Sequence, residues 1–246
     1  MQPSMRVSPC IVALAVAWAI DWAIHRVIRL VIHRVITTSS ERLDIGMLLE
    51  ARDVTFGYEK SKPVLKDISL AIDAGERVAL VGPSGAGKST LALVLAGYLK
   101  PWSGEILFAG QPLPHKGFCP VQLIYQHPEQ AVNPRWQLRD SLYEGWHPDD
   151  ELLGDMGIDE AWLFRYPNEL SGGELQRLCI VRALAPATRF IIADEMTTML
   201  DVITQAQIWA VMLKQIDQRD LGLLTVTHSI ELAERISTRV IMFGDL

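Results

Sequence analysis

The sequence predicts an α/β fold: a mostly parallel sheet covered on both faces by helices, with a helical segment inserted into it. Three observations carry this. From residue 47 to residue 246, short apolar runs suited to buried strands alternate with segments of helical spacing, the order that builds a parallel sheet through crossover helices. One of these runs, Arg77-Val78-Ala79-Leu80-Val81, leads directly into a glycine-rich loop and then an apolar helix at 91–97. Residues 137–170 show no period-two alternation and place Leu138, Leu142, Leu152, Leu153, Met156 and Leu163 at helical intervals, the mark of helix rather than strand.

At 246 residues the chain suits one large domain, or one domain with an appendage, and can bury a sizeable core. The formal charge of −6 argues against a general nucleic-acid binder, because neutralising phosphates needs a basic surface. Cys10, Cys119 and Cys179 are widely spaced. They form neither a disulfide framework nor a zinc pattern and suit a reducing compartment.

Residues 1–46 differ in composition from the rest. From Cys10 to Ile24 the chain is apolar but for Asp21; the uninterrupted run is shorter than the about 20 residues a spanning helix needs. Arg6 ahead of a short apolar core also resembles a secretory signal, which conflicts with the nucleotide chemistry predicted below. Ile24-His25-Arg26-Val27-Ile28 then recurs as Ile32-His33-Arg34-Val35-Ile36. On a helix, His25, Arg26, Arg29 and His33 share one face against Ile24, Val27, Ile28, Val31 and Val35, a basic amphipathic pattern suited to a membrane surface or a hydrophobic groove. Two readings stay open: a functional extension, or residues upstream of a working start at Met47.

From Met47 the elements follow in order. Residues 48–56 alternate as a strand, Gly57-Tyr58 turns, 64–72 form a second strand, and 73–76 turn into the strand at 77–81. After the helix at 91–97 comes a loop at 100–104, a short strand at 105–108 and a strand at 121–125 that ends on Gln126. Ser171 opens a helix through residue 184, so that 137–184 reads as an inserted helical subdomain. Strands at 190–193, 222–227 and 239–243 then alternate with helices at 203–218 and 230–236.

Three motifs carry chemistry. Gly82-Pro83-Ser84-Gly85-Ala86-Gly87-Lys88-Ser89-Thr90 matches G-x-x-x-x-G-K-[ST] between a strand and a helix, the context of a P-loop NTPase core. The glycines let backbone amides wrap a phosphate at a helix N-terminus. Lys88 would reach the β- and γ-phosphates of ATP, and the Ser89 hydroxyl would hold Mg²⁺. The second motif is Leu170-Ser171-Gly172-Gly173-Glu174-Leu175-Gln176-Arg177. A Ser-Gly-Gly turn opening a helix is another anion site. It is redundant within one subunit and makes sense if it closes on the γ-phosphate held by another. The third is Phe190-Ile191-Ile192-Ala193-Asp194-Glu195, an apolar strand ending in two acids. Asp194 is assigned to the metal and Glu195 to general-base polarisation of the attacking water.

With L-S-G-G-[EQ]-x-Q-R as its signature, residues 47–246 resemble the ATP-binding cassette (ABC) family. The resemblance implies the ABC ATPase fold, including an antiparallel N-terminal β-subdomain, and implies further roles by position. Tyr58 would stack on adenine. Gln126 would sense Mg²⁺ and the γ-phosphate, so that it counts both as a catalytic and a metal-site residue, and relay to the membrane partner. Asp201 would belong to the loop crossing a dimer interface, and His228 would contact the γ-phosphate. One departure stands out: the family's Pro-Thr-Ser-Ala-Leu-Asp after the two acids is here Met196-Thr197-Thr198-Met199-Leu200-Asp201. Losing Pro frees the turn, and the two methionines are expected to alter packing against a partner subunit; the acids themselves are intact, so an active hydrolase is expected.

Within the family, Gln126-His127-Pro128-Glu129-Gln130-Ala131-Val132-Asn133-Pro134-Arg135 and Arg165-Tyr166-Pro167-Asn168-Glu169-Leu170 resemble runs of the peptide and nickel importer ATPases. The implied protein is an ATPase on the cytoplasmic face of a membrane. It pairs head to tail with a second cassette, homologous or identical. It drives separate permease subunits, and through them serves an extracytoplasmic solute-binding protein, for import of peptide, nickel or a metal chelate. The alternative is a soluble ABC ATPase of DNA repair or translation. Such chains usually carry a long coiled coil, a zinc insertion or a second cassette, and none of these is read in this sequence.

Overall fold

The computed structural model describes residues 47–246; the amphipathic and signal-like readings of residues 1–46 lie outside the described residues. Two sheets organise the described chain. The first is antiparallel, in the order β2-β1-β4-β5, from β1 (Met47–Phe56), β2 (Leu65–Asp73), β4 (Ser103–Phe108) and β5 (Gln111–Pro112). The second is parallel, in the order β6-β7-β8-β3-β9, from β3 (Arg77–Val81), β6 (Val121–Ile124), β7 (Phe190–Asp194), β8 (Gly222–Thr227) and β9 (Arg239–Met242).

The burial patterns explain the division. In β2 buried and exposed residues largely alternate, as they do when one face meets the core and the other meets water. Every residue of β7 and β8 is buried, as expected of strands covered on both faces. Successive residues of β7 therefore serve different cores. Ile191 and Ala193 join one cluster with Leu138, Leu178, Ile180, Ile208 and Met212, whereas Phe190 and Ile192 join another with Leu49, Ile72, Leu80, Leu91 and Val226.

The helices are α1 (Lys88–Leu95), α2 (Leu138–Leu142), α3 (Asp150–Asp155), α4 (Gly172–Ala183), α5 (Val202–Arg219) and α6 (Ile230–Ile236). α1 begins at Lys88, three residues before the expected start at 91. The polar Lys-Ser-Thr turn hides it from an apolar-spacing criterion. Between 137 and 170 the apolar spacing yields only α2, α3 and 3-10 turns at Glu160–Phe164 and Pro167–Glu169. Gly145, Pro148, Gly154, Gly157 and Pro167 punctuate this stretch, and each limits helix propagation.

β8 sits between β7 and β3 with Gly222 opposite Phe190. A β-carbon at Gly222 would lie 2.4 Å from Phe190 Cδ2 and 2.6 Å from Cε2, so this glycine makes room for the ring. Gly222→Ala is expected to destabilise the fold by about 2 kcal/mol, as overpacking does. That lowers the thermal midpoint by roughly 4–8 °C in a chain of this size, read from a melting curve.

The order of the parallel sheet brings four strand ends together. β6, β7, β8 and β3 are consecutive neighbours, so the residues after their C-terminal ends share one edge. These are Gln126, Glu195, His228 and Gly82, and such an edge is where open α/β sheets hold ligands.

Candidate active site

The phosphate loop leaves β3 at Val81 and enters α1 at Lys88. Gly87, at the helix N-cap, has φ of 109°, and Gly85 has φ of 78°, values that L side chains rarely adopt. A β-carbon at Gly87 would also come within 3.2 Å of Phe243 Cζ and Val64 Cγ1. α1 has neither a side-chain cap nor an acid in its first turn. Its first amides therefore keep their donor capacity for an anion. Lys88 is buried, and its ammonium donates to the carbonyls of Gly82 (2.8 Å) and Pro83 (2.9 Å), which holds the positive charge inside the loop. Pro83, Ser84, Gly85 and Ser89 are exposed and Ala86 half-buried, while Gly82 and Thr90 are buried. Tyr58, 66% exposed, sets its ring edge-on to Phe56 at 5.3 Å, with its hydroxyl 3.3 Å from Thr90 Oγ1. Most of Tyr58 is thus left to solvent beside the loop.

Asp194 ends β7 with little exposure, and its Oδ1 has no hydrogen-bond partner. Burial is the main force on its carboxyl and pushes its pKa up; the Ser89 hydroxyl and the Lys88 charge oppose this, and the Glu195 charge reinforces it. A buried, orphaned carboxylate oxygen beside a hydroxyl is a donor set that fits Mg²⁺, which takes few protein ligands and completes its shell with phosphates and water. Among the described residues no group of three or more His, Cys, Asp or Glu side chains is placed to hold a metal ion.

The raised pKa has a consequence for stability. Its contribution is present at low pH and is lost as pH rises through the folded-state value, so at neutral pH the charged Asp194 weighs against the empty fold. Asp194→Asn is expected to raise the melting temperature of the nucleotide-free protein at neutral pH and to flatten its gain on acidification. Turnover should fall at the same time. Melting curves across pH, paired with phosphate release, check both.

Glu195 follows with φ of 45°, a left-handed conformation that is uncommon away from glycine. Its amide donates to the Val226 carbonyl at 3.0 Å. Its Oε2 lies 3.4 Å from Gln126 Nε2 and 3.4 Å from His228 Nδ1. Three strand ends thus converge on one carboxylate oxygen. The Glu195 side chain is 15% exposed and that of His228 56%, so the histidine is the more open of the two.

Ser171 caps α4 through a reciprocal box. Glu174 accepts from the Ser171 amide and hydroxyl at 2.7 Å each, and the Glu174 amide donates to Ser171 Oγ at 3.3 Å. Those bonds to Ser171 hold the Glu174 carboxyl below the usual range. Gly172 has no atom within 4 Å of a built β-carbon, whereas Gly173 would meet Leu200 Cδ2 at 3.0 Å. Asp201 caps α5, its Oδ1 accepting from the amides of Ile203 and Thr204 at 3.0 Å each. The Thr204 hydroxyl, then these amides, hold its pKa down.

The structure therefore brings Lys88 and Ser89 to Asp194, Tyr58 to Thr90, and Gln126 and His228 to Glu195. Among the described residues no hydrogen bond or ion pair links Ser171, Gly172, Gly173 or Asp201 to that group. Two contacts lay beyond sequence reasoning. Phe243 backs the phosphate loop, 2.9 Å from a β-carbon built at Gly82. Gln176 donates to the Tyr125 carbonyl at 3.1 Å, tying α4 to the strand end before Gln126. Only its place in the signature run could have flagged Gln176.

Comparison with known proteins identifies the family. The ABC transporter family model matches residues 65–198. The nickel import system ATP-binding protein NikE of Staphylococcus aureus (strain bovine RF122 / ET3-1) is 34% identical over 211 residues, covering 80% of this chain and 87% of that protein. Its counterpart in strain N315 is 33% identical over the same length. Among solved structures, the dimeric post-hydrolysis state of the ATP-binding cassette MJ0796 bound to ADP and Pi aligns with a TM-score of 0.68 at 26% identity, covering 79% of this chain and 94% of that one. The fold alone is also shared with cbiO1 of Clostridium perfringens, part of the ABC transporter complex cbiONQ, at a TM-score of 0.64 and 24% identity over 80% of this chain and 84% of that one. This chain belongs to the ABC transporter family, as one of its ATP-hydrolysing cassettes.

Proposed function

We propose that the chain is the ATPase subunit of an importer, energising uptake of nickel through a separate permease, with peptide or a metal chelate as the competing solutes. The observation carrying this is its 34% identity, over four-fifths of its length, to a protein named for nickel import. The Gln126–Arg135 run supports the same branch. Residues 47–246 form the working cassette in this reading, with 137–184 as its helical part. The chain sits on the cytoplasmic face of the membrane through its permease; among the described residues no helix is long and apolar enough to cross a bilayer.

The geometry supports a division of labour. The phosphate-loop amides and Lys88 bind and orient the triphosphate, and the exposed Tyr58 stacks on adenine. Ser89 and Asp194 would hold Mg²⁺, which when bound supplies neutralising charge to the phosphates. Glu195 accepts the proton of a water as its oxygen attacks the γ-phosphorus and the bond to the ADP oxygen breaks. Gln126 and His228, each 3.4 Å from Glu195 Oε2, orient that carboxylate and the γ-phosphate. The Ser171-Gly172-Gly173 turn comes from a second cassette, whose α4 N-terminus faces the γ-phosphate.

Uptake of labelled nickel and of labelled peptide by cells carrying the chain with its permease tests the reading. Nickel uptake lost in Lys88→Ala is expected. Uptake of peptide alone would reassign the solute. ATP turnover stimulated by DNA or ribosomes, with no permease co-purifying, would overturn the importer reading.

A further inference from the structure

The turn that carries Glu195 lacks the proline of the family pattern, yet it is held by hydrogen bonds, two of which come from α5. Glu195 stands in a left-handed conformation at φ of 45°, so the chain after it must be fixed if the carboxylate is to keep its aim. Thr198 supplies part of this, its amide and hydroxyl donating to the Glu195 carbonyl at 3.2 and 3.0 Å. The Glu195 amide bond to the Val226 carbonyl supplies another part, and a third tie runs through Thr197, only 2% exposed. Its Oγ1 accepts from Gln205 Nε2 at 2.8 Å and from Trp209 Nε1 at 3.2 Å. Gln205 and Trp209 are four residues apart on α5 and so share one helix face. Two donors occupy the acceptor capacity of that hydroxyl oxygen. Met196, buried in place of the proline, packs in the same core cluster as Trp209 and Met212. Further along, Asp201 caps the first turn of α5. The segment 197–201 is thereby anchored to one helix at both ends.

We propose that Gln205 and Trp209 are positioning residues for hydrolysis: their shared grip on Thr197 replaces the restraint a proline would give and keeps Glu195 Oε2 between Gln126 and His228. Neither side chain touches the nucleotide. The inference rests on Glu195 acting as the water base, so the test must separate the two.

Steady-state turnover, ATP affinity and melting temperature are compared for the full-length parent, Glu195→Gln, Trp209→Phe, Gln205→Met and Thr197→Val. Trp209→Phe keeps an aromatic ring but removes the pyrrole part of the indole with its N–H; Gln205→Met keeps length and deletes the amide. Each is expected to lower kcat about tenfold while KM for ATP stays within about twofold, because only the aim of the base is lost. Adding Thr197→Val to the Trp209→Phe, Gln205→Met pair should cost nothing more, since all three changes remove the same contact. Thr197→Ser, which keeps the oxygen, should retain most of the rate that Thr197→Val loses. Met196→Pro placed in the Trp209→Phe, Gln205→Met background should recover kcat. A parental kcat in the pair, with Glu195→Gln inactive, would overturn the positioning role while leaving the base in place. Loss of kcat only in step with melting temperature and KM would reduce the contact to packing and overturn it as well. Parental turnover in Glu195→Gln would remove the base reading itself.

Discussion

Glu195→Gln protein is expected to bind ATP, fail to hydrolyse it, and accumulate as an ATP-filled pair of cassettes. The substitution preserves shape, so the 3.4 Å approaches of Gln126 and His228 survive at the remaining oxygen, but an amide cannot accept the water proton. General-base catalysis is typically worth about 10²–10⁴-fold, and turnover should fall by at least the lower figure. Affinity should move the other way. The Glu195 carboxylate sits beside Asp194, whose carboxyl feels its charge, and removing that charge relieves repulsion against an incoming γ-phosphate. Phosphate release and gel filtration with and without MgATP read both effects. Parental phosphate release would deny Glu195 its role.

The motifs were legible because each is local. The loop at 82–90 announces itself through glycines whose φ values of 78° and 109° L residues avoid, and β7 through the apolar run at 190–193, which suits a strand covered on both faces. What joins the motifs is not local. That Gln126, Glu195 and His228 converge follows from the order β6-β7-β8-β3, which no spacing encodes. The antiparallel sheet was expected only by resemblance. Its register shifts between Ala51 and Val54, beside the left-handed Asp53, an irregularity that an alternating pattern cannot reveal. Between 137 and 170 the apolar periodicity was real but described residues packed on α4 rather than continuous helix. The Met196 departure was visible at once, whereas its compensation by Gln205 and Trp209 lies within the next helix and needs tertiary contact to be seen.

Gly172→Asp carries the other large expectation, and it separates folding from function. Gly172 is exposed and a β-carbon there meets nothing within 4 Å. An acid in the first turn of α4 suits the helix dipole, worth about 0.3–1 kcal/mol, so the variant should melt no lower than the parent. If the turn faces a γ-phosphate across a subunit boundary, the new carboxylate meets a like charge there, a juxtaposition costing several kcal/mol. Turnover should then drop by about 100-fold or more, with ATP binding to the intact phosphate loop retained. Nucleotide binding, melting and phosphate release on one preparation give all three readings.

Mixing this variant with Lys88→Ala tests the composite site most directly. Lys88→Ala loses the ammonium that the loop holds between the Gly82 and Pro83 carbonyls but keeps its signature turn; Gly172→Asp keeps the loop and loses the turn. Each alone should be inactive. Combined equally and pairing head to tail at random, half the pairs are mixed and each holds one complete site, restoring about a quarter of parental turnover. Parental turnover by Gly172→Asp alone, with Lys88→Ala inactive, would show a site complete within one subunit and contradict the account.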